Sequence, residues 1–274
     1  MNYFSSDFNI AMNKLTIKLV VWHAAVLVLA LIFWGYGSQI SGEVFLGTSF
    51  DALAVIYLVV LLTAVALGIA LFQQRKWALT LMAVVGLIYL FQFGFTPLNL
   101  LAFGIFLLLG LYSLANSKSE IHQRNKINIK RIIQHGAWPV VIGIFLFISF
   151  AAYQSPSVQE LKDAKRLPSQ FEVFIRSVVE YTVGTQIQAP SAEKQSIINQ
   201  VSRETFNRFN NFFKPYFKYA PPAVSFALFL ILWGFGWIFI WLSIFLGMLV
   251  FWILKKTGVV RIEEKEAKAE ALVI

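Results

Sequence analysis

The most regular feature of the chain is the alternation of long apolar runs with short polar segments. Each run is long enough to cross about 30 Å of hydrocarbon as an α-helix that rises about 1.5 Å per residue. None has an Asp, Glu, Lys or Arg in its interior. The runs cover residues 19–36, 52–72, 77–95, 98–115, 136–153 and 223–254. This pattern predicts an all-α protein, a polytopic transmembrane helical bundle of about six spans.

The polar segments between the runs predict the domain organisation. Residues 1–153 hold spans one to five and include a basic cytoplasmic linker at 116–135. Residues 154–222 are the one long polar segment, which we expect to be a small helical extracytoplasmic unit. The remaining segments are a long sixth transmembrane helix at 223–256 and a cytoplasmic tail at 257–274.

The distribution of basic residues predicts the orientation of the spans. The formal net charge is +9, and most Lys and Arg residues lie at the ends of apolar runs that would share one side of a membrane. An excess of Lys and Arg in short loops marks the cytoplasmic side. We therefore expect a multi-pass protein of a bacterial cytoplasmic membrane with both termini in the cytoplasm. Because the cations are dispersed among helix ends, the charge does not indicate nucleic-acid binding.

The basic stretch at 116–134 has two interpretations. It carries Lys118, Arg124, Lys126, Lys130 and Arg131 against a single acid, with isoleucines spaced roughly opposite the cations. One interpretation is an amphipathic helix that rests on anionic lipid head groups. The other is a solvated helical linker that leads into span five, in which Pro139 would occupy the first turn.

The extracytoplasmic segment contains two predicted amphipathic helices. In the first, Phe171, Phe174, Ile175, Val178 and Tyr181 fall on one helix face. The second has an apolar stripe made of Ile198, Val201, Phe206, Phe209, Phe212 and Phe213. Such stripes must be buried against each other, a membrane surface or a partner. Phe206, Phe209 and Phe213 are therefore candidate interaction residues.

Span six has the least ordinary pattern of the six. Trp233, Trp237 and Trp241 recur every fourth residue beside Gly234 and Gly236, so all five are candidate interaction residues. They form either a packed or lipid-facing ridge, with glycines that admit a neighbouring helix, or the aromatic wall of an interrupted helix. We favour indoles that face another helix or a cavity, because an indole N–H below the interface requires an acceptor.

Small residues in the other spans predict close helix packing. Gly68, Gly86, Gly104 and Gly110 lie within spans two, three and four. Glycine lets neighbouring helices approach closely in a membrane. We expect these positions to be helix contacts of the bundle.

The sequence offers no catalytic signature. The chain has no Cys, which excludes thiolate metal sites and Cys nucleophiles, and it has neither a G-x-S-x-G nor an H-E-x-x-H motif. Its three histidines, His23, His122 and His135, are not spaced as a metal site. We predict no catalytic residue, no metal site and no cofactor.

These features favour a non-enzymatic membrane protein that binds a partner, directs an assembly or acts as a scaffold. The alternative is a transporter or lipid-handling protein, which would need polar groups within the bundle. The expected partners are the lipid bilayer, anionic head groups at the basic stretch and a membrane protein or a second copy of the chain. Nucleic acid is not among them.

The predicted orientation can be tested with alkaline phosphatase fusions, because this enzyme is active only outside the cytoplasm. A fusion after Ser169 is expected to be active, and fusions after Gln123 and Ile274 are expected to be inactive. An active fusion at Ile274 would contradict a single crossing by the last apolar run.

Overall fold

The chain folds into helices that the apolar runs specify. A computed structural model describes the backbone of residues 3–40, 52–122, 128–163, 169–182 and 191–260. The α-helices are α1 (Tyr3–Ile40), α2 (Ala52–Leu71), α3 (Arg75–Phe93), α4 (Pro97–His122), α5 (Ile129–Gln154), α6 (Pro156–Gln159), α7 (Ser169–Thr182), α8 (Ser191–Phe213) and α9 (Ala220–Lys256). Short 3₁₀ turns cover Glu160–Asp163 and Lys214–Tyr219. Within these ranges there is no strand, and six helices are long and apolar enough to span a membrane. The all-α bundle is confirmed.

The chain divides into two compact units. One contains residues 1–152 and 227–274, and therefore most of the membrane-spanning helices. The other contains residues 153–226, with α6, α7, α8 and both 3₁₀ turns. The predicted cytoplasmic tail beyond residue 260 lies outside the described residues.

The turn between α3 and α4 shows how polar side chains close a helical hairpin. Gly94 has a φ of 89°, which favours glycine, and ends α3. The Asn99 amide donates to the carbonyl oxygens of Phe93 and Gly94, at 3.2 and 2.8 Å. The Asn99 side-chain oxygen accepts a 2.7 Å hydrogen bond from the Tyr89 hydroxyl. The backbone acceptors at the end of α3 are thus paired away from water.

Buried aromatic rings form much of the core of the larger unit. Tyr89 stacks on Phe147 with ring centroids 4.1 Å apart, and Trp34 meets Tyr89 edge-on at 5.1 Å. Phe106 contacts Phe147 at 4.8 Å. These rings come from α1, α3, α4 and α5, so a single aromatic cluster joins four helices.

Several glycines leave space for side chains of neighbouring helices. A Cβ at Gly68 would lie 2.5 Å from the indole nitrogen of Trp22, and one at Gly110 would lie 2.5 Å from Met82. At Gly86 it would overlap the ring of Phe103. The predicted close contacts at these three positions are confirmed. Gly104 was predicted in error, because no atom lies within 4 Å of the site that its Cβ would take.

Helices α4 and α5 extend further than the apolar runs indicated. α4 continues to His122 and α5 begins at Ile129, so residues 116–122 and 129–134 of the basic stretch belong to those two helices, whereas Arg124 and Lys126 lie outside the described residues. The reason is packing. The Ser113 hydroxyl donates to the Gly136 carbonyl at 2.5 Å, and Ser117 lies beside Gly136, so polar residues of α4 face α5.

The early start of α5 changes the position of Pro139. This residue lies inside α5 and not in its first turn as predicted. Proline has no N–H, so the carbonyl group of His135 loses its intrahelical donor. Pro139 is buried, and the helix continues beyond it to Gln154.

Helix α9 is continuous. It begins at Ala220, so Pro221 and Pro222 lie in its first turn, where a missing N–H costs little. It runs unbroken through Gly234 and Gly236 to Lys256. The interrupted form of span six considered from the sequence is therefore wrong. Uniform hydrophobicity explains the continuity, because in lipid an unbroken helix keeps every backbone group paired.

The glycine contacts predict a stability difference. A methyl group at Gly143 would overlap the ring of Phe106, which is fully buried and has little room to move. Gly143→Ala is expected to destabilise the bundle by about 1–3 kcal/mol. Gly104→Ala is the matched control, because its Cβ meets open space. Thermal unfolding in detergent should separate the two variants, and equal transition temperatures would contradict this account of the packing.

Candidate functional site

The tryptophan row of α9 faces outward from the larger unit. Trp233, Trp237 and Trp241 are 48%, 59% and 61% exposed. A Cβ at Gly236 would lie 3.5 Å from Phe145 and 3.6 Å from Trp138, so Gly236 faces α5. Gly234 has no atom within 4 Å of that site and admits no neighbouring helix. The candidate residues of α9 therefore separate into exposed rings and one helix-contact glycine.

Two of the exposed indoles line a cavity. A cavity of about 380 Å³ lies between α4, α5 and α9. Its aromatic walls are Tyr112, Trp138, Trp237 and Trp241. Asn116, Gln134 and His135 supply its polar groups. This volume is typical of ligand pockets, which measure about 300–1,000 Å³ and combine apolar walls with a few polar groups.

The cavity opens on the outer side of the bundle and is closed toward its interior. Tyr112 is 58% exposed, similar to Trp237 and Trp241, which form the rim with it. Ile240, which also lines the cavity, is buried. In a membrane, a pocket with this geometry opens toward lipid.

Charged groups are concentrated beside the cavity. The ammonium group of Lys130 lies 5.2 Å from the ring centroid of Trp241, which is within cation–π distance. The His135 Nε2 atom lies 3.9 Å from a carboxylate oxygen of Glu120. The Glu120 side chain is 11% exposed, whereas that of His135 is 51% exposed. The Lys130 ammonium thus lies near a ring that lines the cavity.

Helical periodicity explains how the chain builds this site. Positions four apart share a helix face, and each contributing helix presents such a row. The rows are Tyr112, Asn116 and Glu120 on α4, Lys130, Gln134 and Trp138 on α5, and Trp237 and Trp241 on α9. The structure therefore brings together two features that lie far apart in the sequence, the start of α5 with its basic residues and the tryptophan row.

The 153–226 unit has a small core. Ile175 and Val179 of α7 pack with Ile198 and Phe206 of α8, and Val201 packs against them. The predicted pairing of the two amphipathic helices is present, but only Ile175 of the predicted α7 face is buried. Val179, which lies outside the predicted face, is the second α7 residue in this core, because α8 meets α7 along an edge of that face.

Most of the rest of both stripes remains exposed, whereas Val201 and Phe213 are half-buried. We define the α7 arc as Phe171, Phe174, Val178 and Tyr181, which are 40%, 61%, 44% and 80% exposed. On α8, Phe209 stacks on Phe213 at 6.2 Å, and Phe212 meets Tyr216 at 5.9 Å. Of the candidates Phe206, Phe209 and Phe213, only Phe206 is a core residue.

The histidines show no metal-site geometry where the structure describes them. His23 bonds the Leu19 carbonyl at 2.8 Å and the Thr80 hydroxyl at 2.9 Å, so both of its ring nitrogens serve the packing of α1. No cluster of three or more His, Asp or Glu residues that could hold a metal ion occurs among the described residues.

Comparison with protein-family models, with curated proteins and with solved structures finds no match for this chain. The class therefore follows from the fold. Six apolar helices of membrane-spanning length define a multi-pass integral membrane protein.

The core of the 153–226 unit predicts which phenylalanine holds it together. Phe206→Ala removes a fully buried ring and is expected to cost about 3–5 kcal/mol, more than so small a core can lose. Limited proteolysis of the full chain should then cleave α7 and α8 faster. Phe212→Ala, on the same helix but 65% exposed, should leave the cleavage rate unchanged. Equal rates in the two variants would contradict this assignment.

Proposed function

We propose that the chain is a non-enzymatic binding protein of a bacterial cytoplasmic membrane, anchored by its helical bundle with both termini in the cytoplasm. Its 153–226 unit would be the binding module, on the extracytoplasmic side, and its target is the lipid surface of that leaflet. The observation that carries the proposal is the exposed α7 arc. The unit buries few apolar residues and leaves a contiguous aromatic face uncovered.

The distribution of side chains around α7 supports a lipid surface as the target. The arc occupies one side of the helix, and Glu172, Arg176 and Glu180 occupy the other. A helix that lies in a membrane interface has this division between an apolar face with aromatic residues and a charged face. Because large exposed apolar patches mark interaction sites, the arc requires a partner surface.

The connection of the unit to the bundle also supports this target. Its first helix begins two residues after α5 ends, and its last turn runs directly into α9. Both ends of the unit therefore join membrane helices. The turn Lys214–Tyr219 combines exposed Tyr216 and Tyr219 with Lys218, whose ammonium lies 4.8 Å from the Tyr219 ring. Aromatic and basic residues of this kind are typical of membrane interfaces.

The absence of cysteine permits a direct test by spin labelling. Phe174→Cys and Tyr181→Cys place a label on the α7 arc, and Arg176→Cys and Glu180→Cys place matched labels on its charged side. The full chain is reconstituted in vesicles of phosphatidylethanolamine and phosphatidylglycerol. Relaxation by oxygen, which concentrates in lipid, is then compared with relaxation by a water-soluble nickel chelate.

The arc labels are expected to respond at least threefold more to oxygen, relative to nickel, than the labels on the charged side. Two results would contradict the proposal. Equal nickel access on both sides would show that the arc lies in water. Protection of the arc from both reagents would show that protein covers it, either a second copy of the chain or another part of the same chain.

A further inference from the structure

The cavity between α4, α5 and α9 has a polar end and an aromatic end. Asn116, Gln134 and His135 lie within about two helical turns of the basic ends of α4 and α5, whereas Tyr112 and Trp138 lie one turn deeper on the same helices. On α9, Trp241 lies one turn closer than Trp237 to the terminal Lys255. On α4 and α5 the lining therefore changes from polar to aromatic in the same direction, and α9 supplies an indole at each of the two levels.

This gradient matches the structure of a phospholipid. One helical turn is about 5.4 Å, so the polar and aromatic levels are separated by the distance from a phosphate to the first carbons of an acyl chain. The rim residues Tyr112, Trp237 and Trp241 are more than half exposed on a membrane-spanning surface. A molecule that enters the cavity from the side therefore enters from lipid.

The charges favour an anionic head group. Lys130, at the basic end of α5, contacts a ring that lines the cavity, and Glu120 is the one acidic residue of α4 and α5. Glu120 faces His135, and Lys130 is held over the Trp241 ring at 5.2 Å. The side-chain amides of Asn116 and Gln134 add N–H donors. Basic pockets between transmembrane helices are suited to phosphate-bearing head groups.

We propose that this cavity binds one anionic phospholipid, with its phosphate at Lys130, Gln134 and Asn116 and its acyl chains along Trp138 and Trp237. The site is independent of the surface-binding role of the 153–226 unit. It would lie in the leaflet that meets the basic ends of α4 and α5. The role of Trp241 is to fix the Lys130 ammonium at the phosphate level.

The chain contains a matched control for the contact between Lys130 and Trp241. Trp252 and Lys256 of α9 form the same contact, with the ammonium 5.1 Å from the ring centroid, but Trp252, unlike Trp241, does not line the cavity. Trp252 is 58% exposed, close to the value for Trp241. If any interfacial Trp–Lys pair retained lipid, variants of both pairs would lose it equally.

The test measures binding of dioleoylphosphatidylglycerol to the full chain in mild detergent by native mass spectrometry. Lys130→Gln and Trp241→Leu are expected to weaken binding at least fivefold. Arg131→Gln, Trp252→Leu and Lys256→Gln should remain within twofold of the parent protein. Lys130→Arg and Trp241→Phe, which keep the charge and the ring, should restore most of the affinity. Thermal unfolding of each variant identifies any loss that reflects misfolding.

Comparison of several lipids and free phosphates identifies the chemical class of molecule that the cavity binds. Dioleoylphosphatidylcholine and dioleoylglycerol should bind at least fivefold more weakly than phosphatidylglycerol, and 10 mM glycerol 3-phosphate or inorganic phosphate should not displace the lipid. Equal binding of phosphatidylcholine would overturn the anionic preference, and displacement by free phosphate would overturn the assignment to a lipid. Equal losses in the Trp241 and Trp252 variants, with all variants folded, would overturn the site itself.

Discussion

The structure depends on the requirement that backbone groups in hydrocarbon be hydrogen-bonded within the chain. That requirement makes every span a helix and keeps α9 unbroken through three glycines and two prolines. Once the backbone is satisfied, the helices associate through close contacts. Glycines admit rings or side chains from neighbouring helices, as at Gly68, where the Trp22 indole also donates to the Ala64 carbonyl at 3.0 Å.

The same requirement explains which parts of the fold the sequence predicts. Length and hydrophobicity are sufficient to find the spans, because nothing else in a protein needs so many consecutive apolar residues. They do not locate helix ends. α4 continues past Asn116, where Ser113 and Ser117 face α5. α5 begins before Gly136, because Ile132 and Ile133 near its start are buried. Polar residues that pair across helices are indistinguishable in sequence from residues of a loop.

Only part of the candidate site could be predicted from the sequence. Four-residue spacing indicated that Trp237 and Trp241 share a face, and charge predicted that Lys130 lies near a membrane surface. That these two features meet at one cavity depends on which face of α5 is turned toward α9, and spacing along one helix carries no information about its neighbour. The face of α7 presented the same difficulty, since Val179 became a core residue because of the path of α8.

The aromatic residues of the larger unit differ in what surrounds them, and this difference determines what they can do. Trp34, Tyr89 and Phe147 are enclosed by other rings, so their packing stabilises the fold and leaves no surface for a ligand. Trp241 and Trp252 both lie on α9, and each has a lysine ammonium at nearly the same distance from its ring. Such a cation–π contact contributes about 0.5–1 kcal/mol at an exposed site. Only Trp241 stands at a cavity whose walls come from two further helices. In the proposed site, Lys130 can therefore contact a lipid phosphate, which Lys256 cannot. The helices around the Trp–Lys pair, and not the pair itself, distinguish a binding site from a contact at a helix end.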